Sequence, residues 1–171
     1  MLSERASEAL RPLVMTLRII VIALVLGVTV FGIIAAVQNA GKPQNFGTKV
    51  NYLFLALAGP LFIAGFVVPR LLPKGGPVQP TDAAKYKPED AASVQAAFAP
   101  IQSATIVGCA LFEGAAFMNL VVYLQDAELV HLAVSFIALF CILAHFPVTS
   151  RIEQRIEDQL QARHDEQQFK T

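Results

Sequence analysis

The sequence predicts an all-α membrane protein with four transmembrane helices, both termini in the cytoplasm, a cytoplasmic linker helix and a charged C-terminal helix. The 171 residues are 55% hydrophobic and only 15% charged, and the mean hydropathy is +0.55, which lies outside the usual range of soluble domains. Four apolar runs reach or approach the roughly 20 residues that cross a hydrocarbon core about 30 Å thick. They lie at about 12–37, 52–72, 101–124 and 129–148.

Positive charge predicts the orientation of these spans, because segments rich in Lys and Arg stay on the cytoplasmic side. The amino-terminal flank, the second connection and the tail are rich in these residues: Arg5, Arg11, Arg18, Arg70, Lys74, Lys85, Lys87, Arg151, Arg155, Arg163 and Lys170. The first connection has only Lys42 and Lys49, and the third has none. We therefore expect a multi-pass protein of the inner (plasma) membrane with both termini in the cytoplasm.

The first two spans have simple sequence features. The apolar part of the run 12–37 is longer than the roughly 7 to 15 residues of a signal peptide, so we expect it to remain as an anchor. It carries Ala23 and Gly27 four residues apart, a pair that lets another helix approach closely. In the second span, Gly59 and Pro60 predict a bend, because proline cannot donate a backbone hydrogen bond.

The segments outside the spans predict two further helices. In the cytoplasmic linker 73–100, a stretch rich in Pro and Gly precedes Pro88-Glu89-Asp90 and an alanine-rich run, which predict a short helix at about 88–99. Pro100 then begins the third span. The four spans and this linker together form a transmembrane domain that extends over 1–148. The tail 149–171 opens with a capping-box pattern and carries a narrow apolar stripe. It is interpreted either as a solvated extension of the fourth helix or as a coiled-coil seam between copies.

Polar and small residues form matching stripes on the third and fourth helices. The first stripe falls within an arc of about 120° and contains Gln102, Thr105, Cys109, Glu113, Ala116, Asn119 and Tyr123. The second contains His131, Ser135, Ala138, Ile142 and His145. The short connection between the helices predicts antiparallel neighbours. We therefore expect a polar intramembrane seam formed by Glu113, Asn119, Thr105, Tyr123, Ser135, His131 and His145.

Glu113 occupies the middle of the third span. An unpaired carboxylate at the bilayer centre costs about 2.5 to 3.5 kcal/mol on insertion scales, and desolvation favours the neutral acid. We expect a protonated Glu113 that faces the bundle interior and donates a hydrogen bond to Ser135 or to a backbone carbonyl. Alternatively, the same residues form a proton relay that runs from Tyr123 and His131 through Glu113 to His145.

Other chemistry is not indicated. His131 and His145 are 14 residues apart on one helix, about 21 Å at 1.5 Å per residue, so they cannot share a metal ion. Cys109 and Cys141 fall inside the spans and are interpreted as packing residues. The sequence has no catalytic or phosphate-binding motif, and its net charge is zero. We predict no enzyme activity, no metal, no cofactor and no nucleic-acid partner.

The stretch Ala110 to Leu124, ALFEGAAFMNLVVYL, resembles the carboxylate helix of rotary ATPase proteolipids. That resemblance implies that Glu113 binds a proton or a sodium ion. Unlike the proteolipids, this chain has no glycine-rich neighbouring helix, and it has a long cytoplasmic connection and a charged tail. As a whole it resembles small four-helix bacterial inner-membrane proteins of uncharacterised function.

Two functional hypotheses follow. The first is a structural or accessory subunit of a membrane assembly, in which the polar seam fixes helix packing. Its partners are the lipid bilayer and either further copies or other subunits, bound through the third-helix seam or the tail. The second is a proton or cation pathway component in which Glu113 changes its protonation state.

Overall fold

A computed structural model describes residues 4–44, 52–71 and 91–168, and this part of the chain forms five α-helices. They are α1 (Glu4–Asn39), α2 (Tyr52–Leu71), α3 (Ala91–Asp126), α4 (Leu129–Ala144) and α5 (Thr149–Gln168). Segments of α1, α2 and α3 are long and apolar enough to cross a membrane, and a fourth span is present if α4 and α5 are counted as one bent pair. The structure thus confirms an all-helical multi-pass membrane protein with three or four spanning helices.

Helices α1 and α3 are longer than predicted. Each has 36 residues, which corresponds to about 54 Å at 1.5 Å per residue, well beyond the roughly 30 Å of a hydrocarbon core. The prediction of a separate linker helix at 88–99 is wrong. The described part of this segment belongs to α3, which continues through Pro100. Pro100 removes one backbone hydrogen bond, but Phe98 and Ile101 on either side are both buried. The remainder of the linker, 73–90, lies outside the described residues.

The chain divides into two compact units. Among the described residues, the first unit contains 4–18, 91–104 and 147–168. Its three helical segments each contribute buried apolar side chains at helical spacing, namely Leu10, Val14, Leu17, Val94, Ala97, Phe98, Ile101, Ile152 and Ile156. The first unit therefore has a three-helix core of its own.

The tail is part of that core. The interpretation of the tail as a solvated extension of the fourth helix is wrong, because α5 is a separate helix and buries Ile152 and Ile156. A narrow apolar stripe is sufficient here because two other helices of the same unit also contribute buried side chains. The two isoleucines are thus buried within their own chain. They are therefore not available for a coiled-coil seam between copies.

Arg18 joins α1 to the break between α4 and α5. Its Nε donates to the Pro147 carbonyl oxygen at 3.1 Å, and its Nη2 donates to the Thr149 hydroxyl at 2.8 Å. Charge-assisted hydrogen bonds are stronger than neutral ones. The guanidinium group therefore holds the start of α5 against α1.

The second unit contains, among the described residues, 19–44, 52–71 and 105–146. Helix α3 touches the three other helices of this unit. Phe117 packs on Phe31 of α1 with ring centroids 5.4 Å apart, and Phe112 packs on Phe62 of α2 at 5.7 Å. Ser135 of α4 is hydrogen-bonded to α3. The buried core of the unit consists of Val21, Val28, Cys109, Phe112, Ala116, Leu120, Ala138 and Ile142.

Candidate functional site

Two hydrogen bonds join the polar faces of α3 and α4. The Ser135 hydroxyl approaches the Ala116 carbonyl oxygen at 3.1 Å, and it also approaches the His131 carbonyl oxygen of its own helix at 2.9 Å. His131 Nδ1 lies 2.8 Å from Asn119 Oδ1. The structure thus places Ser135, Asn119 and His131 together, with His131 level with Asn119 on the antiparallel neighbour.

The hydrogen bonds of Asn119 fix the tautomer of His131. The Asn119 side-chain amide donates to the Ala115 carbonyl oxygen at 2.9 Å, so its carbonyl oxygen is the atom that faces the imidazole ring. A carbonyl oxygen only accepts, and therefore His131 Nδ1 carries the proton. His131 Nε2 is then an acceptor, and it is buried without a hydrogen-bond partner among the described residues.

Helix α1 is hydrogen-bonded to the C-terminal end of α3, just before the turn into α4. The Asn39 side-chain amide donates to the Tyr123 carbonyl oxygen at 2.6 Å. The Tyr123 hydroxyl is 3.2 Å from Gln44 Oε1, and Gln44 Nε2 donates to the Asn39 carbonyl oxygen at 2.9 Å. We call Asn39, Gln44, Asn119, Tyr123 and His131 the turn-end polar cluster. It connects α1, α3 and α4 through polar groups that are mostly buried.

Asn39 and Gln44 were not among the residues predicted for the seam. Asn39 is fully buried, although it lies at the polar end of an apolar run. A usable signal exists in the sequence: Val28, Ala35 and Asn39 follow one another at helical spacing, and all three are buried. Gln44 lies beyond the end of α1, in a turn region for which helical spacing gives no prediction.

Glu113 does not face the α4 seam. A Cβ atom placed on Gly27 of α1 would lie 3.7 Å from Glu113 Oε1, so the carboxyl group rests against the thin part of α1. The side chain is only partly buried. The expected hydrogen bond from Glu113 to Ser135 is not formed, because Glu113 Oε1 lies beside Gly27 of α1 while the Ser135 hydroxyl lies against the Ala116 and His131 carbonyl oxygens. Within the described ranges, no hydrogen bond reaches the Glu113 carboxyl group.

His145 lies at the opposite end of α4 from His131 and has a different environment. Its Nδ1 lies 2.8 Å from the Cys141 carbonyl oxygen, to which it donates, since a carbonyl cannot donate. Its ring packs against Phe112 and Phe66, with centroids 5.3 Å and 5.8 Å away. His145 Cδ2 would lie 3.6 Å from a Cβ atom placed on Gly108. Gly108 is three residues from Thr105 on α3, so His145 lies near the level of Thr105, as the sequence predicted. His145 therefore closes the α4 terminus inside an aromatic cluster.

The predicted seam residues form separate groups rather than one line. Asn119 and Glu113 are six residues apart on α3, about 9 Å along the axis, and Glu113 faces α1 while His131 contacts Asn119. No series of hydrogen bonds connects His131 through Glu113 to His145 in the described part of the chain. Likewise, the described residues contain no group of three His, Cys, Asp or Glu side chains placed to hold a metal ion.

A cavity of about 180 Å³ lies between α1 and α4 in the second unit. Its lining is apolar apart from two hydroxyls, and both of these are used in hydrogen bonds to backbone carbonyls, Thr29 to Val25 and Ser135 to Ala116. The buried Leu120 of α3 and the exposed Ile33 and Phe136 are among the residues that line it. The cavity thus offers hydrocarbon contacts and no open polar group.

No protein-family model, no curated protein and no solved structure matches this chain. The described residues of the site provide two features. These are a buried hydrogen-bonded cluster that connects three helices, and a carboxyl group beside α1 that is separate from it.

Proposed function

We propose that the protein is a structural or accessory subunit of a membrane assembly and carries out no reaction of its own. The observation that carries this proposal is that side-chain hydrogen bonds of the turn-end polar cluster run between helices. Asn39 joins α1 to α3, and the Asn119–His131 pair joins α3 to α4. Interhelical hydrogen bonds and small residues are the main specific contacts between helices in lipid.

A proton or cation pathway is the second candidate, and one observation favours it. Glu113 is the only acidic residue in the interior of α3 within the second unit, and its carboxyl group is partly exposed without a hydrogen bond from the described residues. An ionisable group inside a spanning helix marks a functional site in many membrane proteins. The resemblance of 110–124 to the proteolipid carboxylate helix supports the same candidate.

Replacing Glu113 with glutamine separates the two candidates, because glutamine keeps the size of the side chain but cannot titrate. We expect the Glu113→Gln protein in proteoliposomes to show the same proton and sodium flux as the wild-type protein, at the level of empty vesicles. Flux in the wild-type protein that is reduced by about tenfold or more in the variant, which corresponds to 1.4 kcal/mol, would contradict the accessory role. The matched control is the double variant Glu113→Gln with Gln102→Glu, which moves the acid along the same helix.

For the orientation, we propose four spans including α4, both termini in the cytoplasm and insertion in the inner membrane. The support is the charge distribution, since the first unit carries Arg11, Arg18, Arg151 and Arg155 while the connection after α1 has few positive charges. The first unit is then cytoplasmic. Its exposed charged side chains on α5 are available to other subunits.

Labelling of single cysteines in intact cells tests this orientation. Lys42 and Ser150 are both exposed and lie on opposite sides in the proposed topology. We expect a membrane-impermeant maleimide to label Lys42→Cys but not Ser150→Cys, each in a chain whose Cys109 and Cys141 are replaced by alanine. After cell lysis both should be labelled. Labelling of Ser150→Cys in intact cells would reverse the topology.

A further inference from the structure

Two acceptor atoms of the turn-end polar cluster are buried without a hydrogen bond. They are Asn39 Oδ1 and His131 Nε2, and neither has a partner among the residues that the structure describes. Both residues are 0% exposed. An unpaired buried polar group costs free energy, and most such groups in proteins are bonded to other protein groups or to ordered water. Each of the two atoms therefore needs a partner beyond the described side chains.

The neighbouring hydrogen bonds fix both atoms as acceptors. Asn39 Nδ2 donates to the Tyr123 carbonyl oxygen, and rotating the amide by half a turn would bring two oxygens together. His131 Nδ1 carries the proton that Asn119 Oδ1 accepts, which leaves Nε2 with a lone pair. Each side-chain donor of the cluster already donates to a different atom. The required partner is thus a hydrogen-bond donor and not an acceptor.

Asn39 and His131 are held on the same part of α3 by their hydrogen bonds. Their partners on α3 are four residues apart, which is about 6 Å along the helix axis. Helices α1 and α4 are also adjacent near this level, because Ala36 and Leu132 line the same cavity. Ala36 is three residues before Asn39, and Leu132 directly follows His131. A donor between the two acceptors would therefore connect α1 to α4.

We propose that a buried water molecule completes the turn-end polar cluster by donating one hydrogen bond to Asn39 Oδ1 and one to His131 Nε2. Water has a pair of donor hydrogens, which matches the pair of acceptors, and buried waters in proteins bind roughly two to four polar groups. Gln44 belongs to the same cluster and is exposed, so the cluster extends to the protein surface, where water is available. The bound water does not depend on the proposed accessory role.

Solid-state NMR of the full chain in liposomes, with isotope-labelled histidine nitrogens, tests the proposal. The signals of His131 are assigned by their loss in His131→Gln. We expect Nδ1 to be protonated and Nε2 to be unprotonated at neutral pH, and we expect Nε2 to receive magnetisation from the protons of water. A protonated Nε2 at neutral pH, or no transfer from water to Nε2, would overturn the proposal.

Substitution of Asn39 tests the bridge between the two helices. Asn39→Leu removes one of the two acceptors, so we expect it to lose the transfer from water to His131 Nε2 while its helical content by circular dichroism stays unchanged. Gln38→Leu is the matched control, because it replaces an exposed amide with the same side chain at the neighbouring position of α1. This control should retain the transfer.

Transfer that persists in Asn39→Leu would mean that Asn39 does not share the water, and the bridge would then be wrong. The measurement on the wild-type protein requires no variant to fold, so it tests the water at His131 by itself. None of these outcomes bears on the accessory role, because that role is tested separately by the flux of Glu113→Gln.

Discussion

Replacement of Ile156 by alanine should destabilise the first unit by about 2 to 4 kcal/mol, in the range measured for removing buried aliphatic side chains. Ile156 is 0% exposed and lies on α5 in the middle of the three-helix core. The substitution removes apolar contacts and leaves a cavity that the surrounding side chains fill only in part. Limited trypsin digestion measures the effect, since Arg151 and Arg155 are exposed but trypsin cleaves after them only when the backbone of α5 unfolds.

The matched control for this substitution is Gln154→Ala. Gln154 lies on the exposed side of the same helix, two residues from Ile156. Both variants gain an alanine, so differences in helix propensity are small beside the loss of packing. Trypsin should cleave the Ile156→Ala tail at least tenfold faster than the Gln154→Ala tail. Equal rates would mean that α5 is not docked.

The second large effect is expected at Gly65 in α2. A Cβ atom on Gly65 would lie 2.6 Å from Cζ of Phe112, well inside van der Waals contact. The Phe112 ring has little room to move, because it is fully buried and packs on Phe62, Phe66 and His145. Gly65→Ala should therefore destabilise the second unit by about 1 to 3 kcal/mol, as overpacking does in other cores, despite the better helix propensity of alanine.

Gly59 provides the control on the same helix. A Cβ atom there meets no atom within 4 Å, so Gly59→Ala should be neutral or slightly stabilising. Unfolding of both variants by sodium dodecyl sulfate in mixed micelles, followed by circular dichroism, gives the comparison. If Gly65→Ala were as stable as Gly59→Ala, the close packing of α2 on Phe112 would be incorrect.

The sequence predicted the apolar helices and most of the α4 face well. His131, Ser135, Ala138 and Ile142 were placed on one stripe by their spacing, and all four are buried. This worked because a spanning helix has a strict period of 3.6 residues and because polar residues in lipid turn toward protein. The same reasoning placed His131 level with Asn119, since a short connection leaves little freedom in the register of two antiparallel helices.

Two features could not be derived from local pattern. Pro100 predicts a helix start, but tertiary packing of Phe98 and Ile101 stabilises a helix that continues through it. The narrow apolar stripe of the tail does not predict a docked helix, because the sequence does not show which other helices share its core. In both cases the decisive contacts come from residues that are distant in the chain.

The direction of Glu113 was the third difference. Its helical position lies at the border between the buried and the exposed faces of α3, so a rotation of a few tens of degrees decides which neighbour it meets. The Gly27 contact was not predicted, although the pair Ala23 and Gly27 had marked that part of α1 as thin. Periodicity locates a face, but it does not select between the two helices that flank it.

The contact made by Arg18 has a consequence for biosynthesis. Its acceptors, Pro147 and Thr149, are made 129 and 131 residues later. Helix α1 therefore leaves the ribosome long before the break between α4 and α5 has been made. Contacts between residues so far apart in sequence form late, after a large loop has closed. Maturation of the first unit therefore waits until residue 149 has been made, and a chain shortened before residue 147 lacks both acceptors of Arg18.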